Sequence, residues 1–138
     1  RAWCGACGSI RRLRRSGAMY IAGMVIAVPA GQRDAYRQWA ENSARIFRAY
    51  GCLEIVEAWE DFVPDGKHTD FRRAVAAQPG EKIVFSWQIW PDKETLDDAE
   101  TRMHADGVLD TDAEPPFDPR RMILGCFTPL SVAGRDGG

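Results

Sequence analysis

The chain has 138 residues, 45% of them hydrophobic and 28% charged, which gives room for one domain with a core but not for two. No apolar run approaches the roughly 20 residues of a membrane-spanning helix, so a helical membrane protein is excluded. The net charge of -2 conceals an asymmetry: residues 1–18 hold five arginines and no acid, leaving 13 basic against 20 acidic residues in the remainder. An acidic body repels phosphate chains, so nucleic acid is not an expected partner of the folded part.

Residues 1–18 show neither helical nor alternating periodicity and lack the apolar centre of a secretory signal. They read as a basic extension, a tag or upstream-encoded sequence, with Met19 as the natural start; a basic arm for RNA or an acidic partner is the rival reading. Their Cys4-x-x-Cys7 pair has no second pair at zinc-finger spacing, so no metal is assigned to it. The domain is expected over 19–132, followed by a flexible tail at 133–138.

Met19 to Val28 is a continuous apolar run ended by Pro29, which predicts a buried first strand. From Ala30 to Tyr50 the spacing turns helical: Tyr36, Trp39, Ala40, Ser43, Phe47 and Tyr50 form one stripe, and Gly51 supplies the stop. Cys52 to Phe62 alternates as a second strand, with Leu53, Ile55, Glu57 and Trp59 on its more apolar face. Val63 to Gly80 is too long for an ordinary strand connection, and its Phe71 and Val75 are expected to anchor it.

Glu81 to Trp90 is the central strand, because Ile83, Phe85, Trp87 and Ile89 make one face wholly apolar while Val84 and Trp90 keep the other half apolar. Asp92 caps a second helix that runs to Ala105 and closes at Gly107. A proline- and acid-rich crossing pinned by Phe117 leads to a fourth strand at Arg121 to Val132, whose Pro129 suits an edge. Cys52 and Cys126, single in their strands, are expected to be buried thiols of a cytoplasmic protein.

The order strand-helix-strand, twice over, predicts an α+β, ferredoxin-like fold: a four-stranded antiparallel sheet with both helices on one face. Apolar side chains on the other face predict a homodimer through the helix-free sheet face. The segments VPDGKHTDFRRAV, IVFSWQIW and PPFDPRRMILGCF, with the start at Met19-Tyr20, resemble the YbaA-like family of small bacterial proteins of unknown function. The resemblance implies a dimeric α/β barrel and brings no activity with it.

Phosphate loops, GxGxxG, HExxH and a serine nucleophile elbow are all missing, and no cofactor is called for. Glu100 and His104 stand four apart and read as a solvated helix face. Glu57, a carboxylate on an apolar strand face, needs a partner, for which Arg121, Arg73 or a base from a second chain are candidates, with a salt bridge at the dimer seam as the structural alternative. Trp87 is the aromatic expected to share a pocket with Glu57, while Lys67, Thr69, Arg72 and Arg73 could gather an anionic group of a small molecule. The functional expectation is a small-molecule binding protein with its pocket between sheet and helices; a cofactor-independent monooxygenase-like enzyme and an oligomeric interaction module without ligand are the alternatives.

Overall fold

The computed structural model describes residues 19–109 and 114–134. The basic extension at 1–18, residues 135–138 of the tail and residues 110–113 of the crossing lie outside the described residues. Strand β1 (Tyr20–Pro29) leads through a single 3-10 turn (Ala30–Gln32) into helix α1 (Arg33–Ala49), so the helix begins three residues later than its periodicity suggests. Pro29 precedes the turn, Gly31 lies at its centre, and no side chain caps it. Gly51, at φ 115, turns the chain out of α1 as expected. Strand β2 (Glu54–Trp59), the short helix α2 (Phe71–Ala74), strand β3 (Glu81–Trp90), helix α3 (Lys93–Asp106) and strand β4 (Ile123–Phe127) complete the chain. Asp92 caps α3 through Thr95 N at 2.7 Å, and Gly107 closes it at φ 71.

The sheet runs β2-β3-β1-β4 with every neighbouring pair antiparallel, the order of a ferredoxin-like α+β fold. Ile26, Val28 and Val84 meet Tyr36 and Ala40 of α1, while Trp90 meets Leu96, Ala99 and Met103 of α3. Both long helices therefore cover the same face, carrying Val84, Ser86, Gln88 and Trp90 of the central strand. Both predicted outer strands are shorter in the structure: β2 stops at Trp59, and β4 ends before Pro129, which cannot donate to a ladder. Cys52 is buried, but Cys126 is exposed, because β4 is an edge strand that the helices leave partly uncovered.

The opposite face carries Ile83, Phe85, Trp87 and Ile89, and the long connection folds back over one end of it. Val75, 1% exposed, packs there with Ala27 and Ile83, and Phe71 stands edge-on to Phe85 at 6.1 Å. Asp70 orders this connection by accepting from the backbone N–H of Gly66 at 3.0 Å and of Arg73 at 2.8 Å. Gly66 is required, since a Cβ there would lie 2.0 Å from the Thr69 carbonyl oxygen. On the rest of the face Ile89 is buried, but Phe85, Ile123 and Phe127 are exposed, and the Phe127 ring lies across Gly125.

Arg121 fastens the connection to the start of β4. Its guanidinium holds both oxygens of Glu81 at 2.8 Å, reaches Asp118 at 3.4 Å, and donates to the carbonyl of Ala76 at 2.9 Å, a residue at φ 52. The Arg121 guanidinium, ahead of burial, sets the direction of the Glu81 pKa, which lies below the usual carboxylate range. A lowered folded-state pKa contributes stability above the unfolded carboxyl pKa and loses it as pH falls through the folded one. Arg121→Met is expected to cost about 1–2 kcal/mol at neutral pH, the lower end reflecting access of water to the pair. In thermal unfolding the gap between wild type and variant narrows below about pH 4 as Glu81 takes up its proton; a gap independent of pH contradicts this role.

Candidate functional site

The pairing of β2 with β3 decides where Glu57 lies. Glu57 stands opposite Ser86, Ile55 opposite Gln88 and Trp59 opposite Val84, so all three β2 residues share the helix-covered face. The stripe of α1 places Tyr36 above them, and its hydroxyl donates to Glu57 Oε1 at 2.7 Å. Ser86 is fully buried directly across from Glu57; its Oγ has no partner at full hydrogen-bond geometry among the described residues, yet its hydroxyl helps to hold the Glu57 charge. Burial pushes the Glu57 pKa up, with the Tyr36 and Ser86 hydroxyls pulling against it. Burial, followed by the Glu57 charge, raises the Tyr36 phenol well above its ordinary range, so Tyr36 serves as a donor.

The pair stands between two openings. An outer cleft of about 690 Å³ runs between the first turns of α1 and β2, past Arg33, Arg37, Glu41, Trp59 and Val84. An inner cavity of about 260 Å³ lies between the sheet and both long helices, walled by Met24, Ile26, Trp39, Phe47, Leu96 and Met122, with Gln88, Ser43 and the exposed Glu100 as polar points. Tyr36, Ala44, Ile55 and Glu57 line both. Glu57 as a whole residue is exposed, with water reaching it from the cleft, so the crowding around its carboxyl that raises its pKa is partial. Tyr36, Trp39 and Phe117 form an aromatic trio, with centroids 5.7, 5.9 and 5.1 Å apart pairwise. Phe117 thus pins the crossing to α1 at the cavity edge. Gln88 is fixed by accepting from the buried Trp90 Nε1–H at 2.8 Å.

The other expected site residues lie elsewhere. Trp87 pairs with Val56 and Gly23 on the helix-free face, its ring 5.6 Å from Phe85, so it cannot line a pocket with Glu57. Lys67, Thr69 and Arg73 belong to the connection that packs on that same far side. Arg73 is occupied by the carbonyl oxygens of Gly66 and Lys67 and by Asp70 at 3.2 Å. Arg72 is held by Glu60 and donates to the Glu81 carbonyl at 3.0 Å. Arg121 serves Glu81, not Glu57. The expected ionic partner of Glu57 is therefore replaced by two neutral hydroxyls, and the seam of a helix-free-face dimer is not where Glu57 sits. Among the described residues no group of three or more His, Cys, Asp or Glu side chains could hold a metal. Tyr36 and Ser86 were not singled out by sequence; the one available sign was a polar-tipped aromatic in an apolar helix stripe.

A raised Glu57 pKa means that the folded state binds a proton more readily than the unfolded one. Its ionised form therefore costs stability above the folded pKa, and the cost vanishes below the unfolded value. Glu57→Gln, which keeps an acceptor for Tyr36, is expected to raise the unfolding temperature at neutral pH and to lose that advantage below about pH 4. Carboxyl NMR should show Glu57 titrating above ordinary glutamates, and higher still in Tyr36→Phe. An ordinary titration curve would contradict the placement of Glu57.

Residues 19–119 match the model of a family described as a protein of unknown function, DUF1428. The uncharacterized protein YbaA of Escherichia coli K12 is 49% identical over 109 residues, covering 78% of this chain and 93% of that protein, and YbaA of Shigella flexneri matches to the same extent. Among solved structures, SnoaB, a cofactor-independent oxygenase from Streptomyces nogalater, aligns with a TM-score of 0.46 at 11% identity, over 86% of this chain and 99% of that one. The de novo designed protein Foldit4 aligns with a TM-score of 0.37 at 16% identity, over 80% and 98%. By the extent of the family match and the identity to YbaA, the chain belongs to the DUF1428 family, whose function is unknown.

Proposed function

We propose that the chain is a small-molecule binding protein whose ligand lies between the sheet and the two long helices, with its polar end at the Tyr36–Glu57 pair. The observation that carries this reading is an inner apolar cavity continuous in its lining with an open cleft, the two sharing a single hydrogen-bonded polar pair. Ligand sites of roughly 300–1,000 Å³ have this composition: apolar walls and a few fixed polar groups. An enzymatic form of the reading, a cofactor-independent monooxygenase-like activity, draws support from the raised Glu57 pKa, which suits a base accepting a proton from substrate.

Ala44 lies on the wall common to cleft and cavity, and Ala44→Phe narrows that space while keeping both residues of the polar pair. In a thermal-shift screen against small metabolites, a ligand at a hundred times its Kd stabilises the protein by about 2.7 kcal/mol. That shift is expected in the wild type and absent in Ala44→Phe. A shift of equal size in both would place the ligand elsewhere.

We further propose a homodimer through the helix-free face, an arrangement in which Phe85, Ile123, Phe127 and the half-buried Trp87 are covered by their counterparts. The two free cysteines among the described residues fit a reducing, cytoplasmic setting. Sedimentation at micromolar concentration is expected to give twice the 15.4 kDa chain mass, falling to one chain in Phe85→Glu. A wild type that sediments as one chain overturns the dimer.

A further inference from the structure

We propose, resting on the small-molecule reading above, that the ligand carries an ammonium or similar organic cation, which Glu57 receives as its counter-charge against aromatic walls. Three independent features point there.

The first is the absence of a cation for Glu57. Elsewhere among the described residues several acids have a basic partner: Glu60 with Arg72, Asp70 with Arg73, Glu81 with Arg121, and Asp118 with Arg120. Glu57 has only the hydroxyls of Tyr36 and Ser86, and no basic side chain contributes to its electrostatics. A carboxylate facing an apolar space with neutral partners alone is a site for an incoming positive charge.

The second is the sign of the cavity. The ionisable groups on the inner wall are Tyr36 from α1, Glu57 from β2, Glu100 from α3 and Cys126 from β4, all neutral or negative; β3 adds Ser86 beside Glu57 and Gln88, neither of which titrates. No Lys, Arg or His stands among the described residues lining it. The basic groups, Arg33 and Arg37, remain at the outer cleft among Asp34 and Glu41, where Arg37 is bonded to Asp34 at 3.4 Å. An anionic ligand would meet repulsion on reaching the inner cavity.

The third is aromatic. Tyr36 and Trp39 line the inner cavity, and Trp59 lines the cleft. Aromatic faces attract cations, most strongly where water is excluded. The guanidinium of Arg33 already lies 5.6 Å from the centroid of the Trp59 ring, so one ring of this site receives a cation from the chain itself.

Isothermal titration calorimetry of the full chain with three isosteric probes tests the inference: phenylpropylamine, phenylpropanol and phenylpropionate. The amine is expected to bind about tenfold more tightly than the alcohol, with the carboxylate weakest. Glu57→Gln, checked for an unchanged near-ultraviolet dichroism spectrum, should abolish the roughly tenfold preference for the amine over the alcohol. Amine affinity should weaken as pH falls through the Glu57 titration, and buffers of different ionisation enthalpy should report proton release on binding. An alcohol or carboxylate that binds as tightly as the amine, or an amine affinity indifferent to Glu57→Gln, overturns the cation while leaving the small-molecule reading in place. Failure of all three probes to bind overturns both.

Discussion

The register of β2 against β3 governs the chemistry of this molecule. With Glu57 opposite Ser86, the one carboxylate on the inner side of β2 falls beneath Tyr36 and beside the cavity. A slip of one residue would carry Glu57 to the helix-free face and bring Val56 and Ala58 inward, because side chains alternate along a strand. The apolar pattern opposes that slip, since it would expose Ile55 and Trp59. The same forces that assemble the core thus position the acid, without any ionic bond to guide it.

The sheet has two apolar faces and treats them differently. The helix-covered face closes imperfectly and leaves room between α1, α3 and the strands. The other face is covered at one end by the chain's own long connection and leaves Phe85, Ile123 and Phe127 exposed beyond it. This division explains why the basic residues of the connection take no part at Glu57: close in sequence, they are a sheet's thickness away in space. Their charges go to ordering the connection itself, through Asp70, Glu60 and backbone carbonyls.

Much of this was legible in the sequence, and the failures have specific causes. Alternation in β2 and β3 and the three- and four-residue spacing of α1 are local signals, and they gave the elements, the central strand and the place of Glu57 on the more apolar face of its strand. Partners are not local. Tyr36 lies 21 residues from Glu57 and Arg121 lies 40 residues from Glu81, and composition offers no means of choosing between two carboxylates for one guanidinium. Trp87 was expected beside Glu57 because alternation groups residues within one strand but does not say which face of the next strand they join. Cys126 was expected to be buried because the pattern of β4 is apolar, whereas its place at the sheet edge follows from topology alone.

The pairing of Ile21 with Phe127 has a consequence for chain architecture. The first and last strands of the domain are antiparallel neighbours, so the domain is entered and left at one corner, with backbones about 5 Å apart. That corner is the Tyr20–Trp90 end of the sheet, opposite the end where Pro29 meets Glu81. Splicing the two termini with a few residues would close the chain without crossing the sheet, and the domain could equally be grafted into a surface loop of another protein while keeping its strands in place.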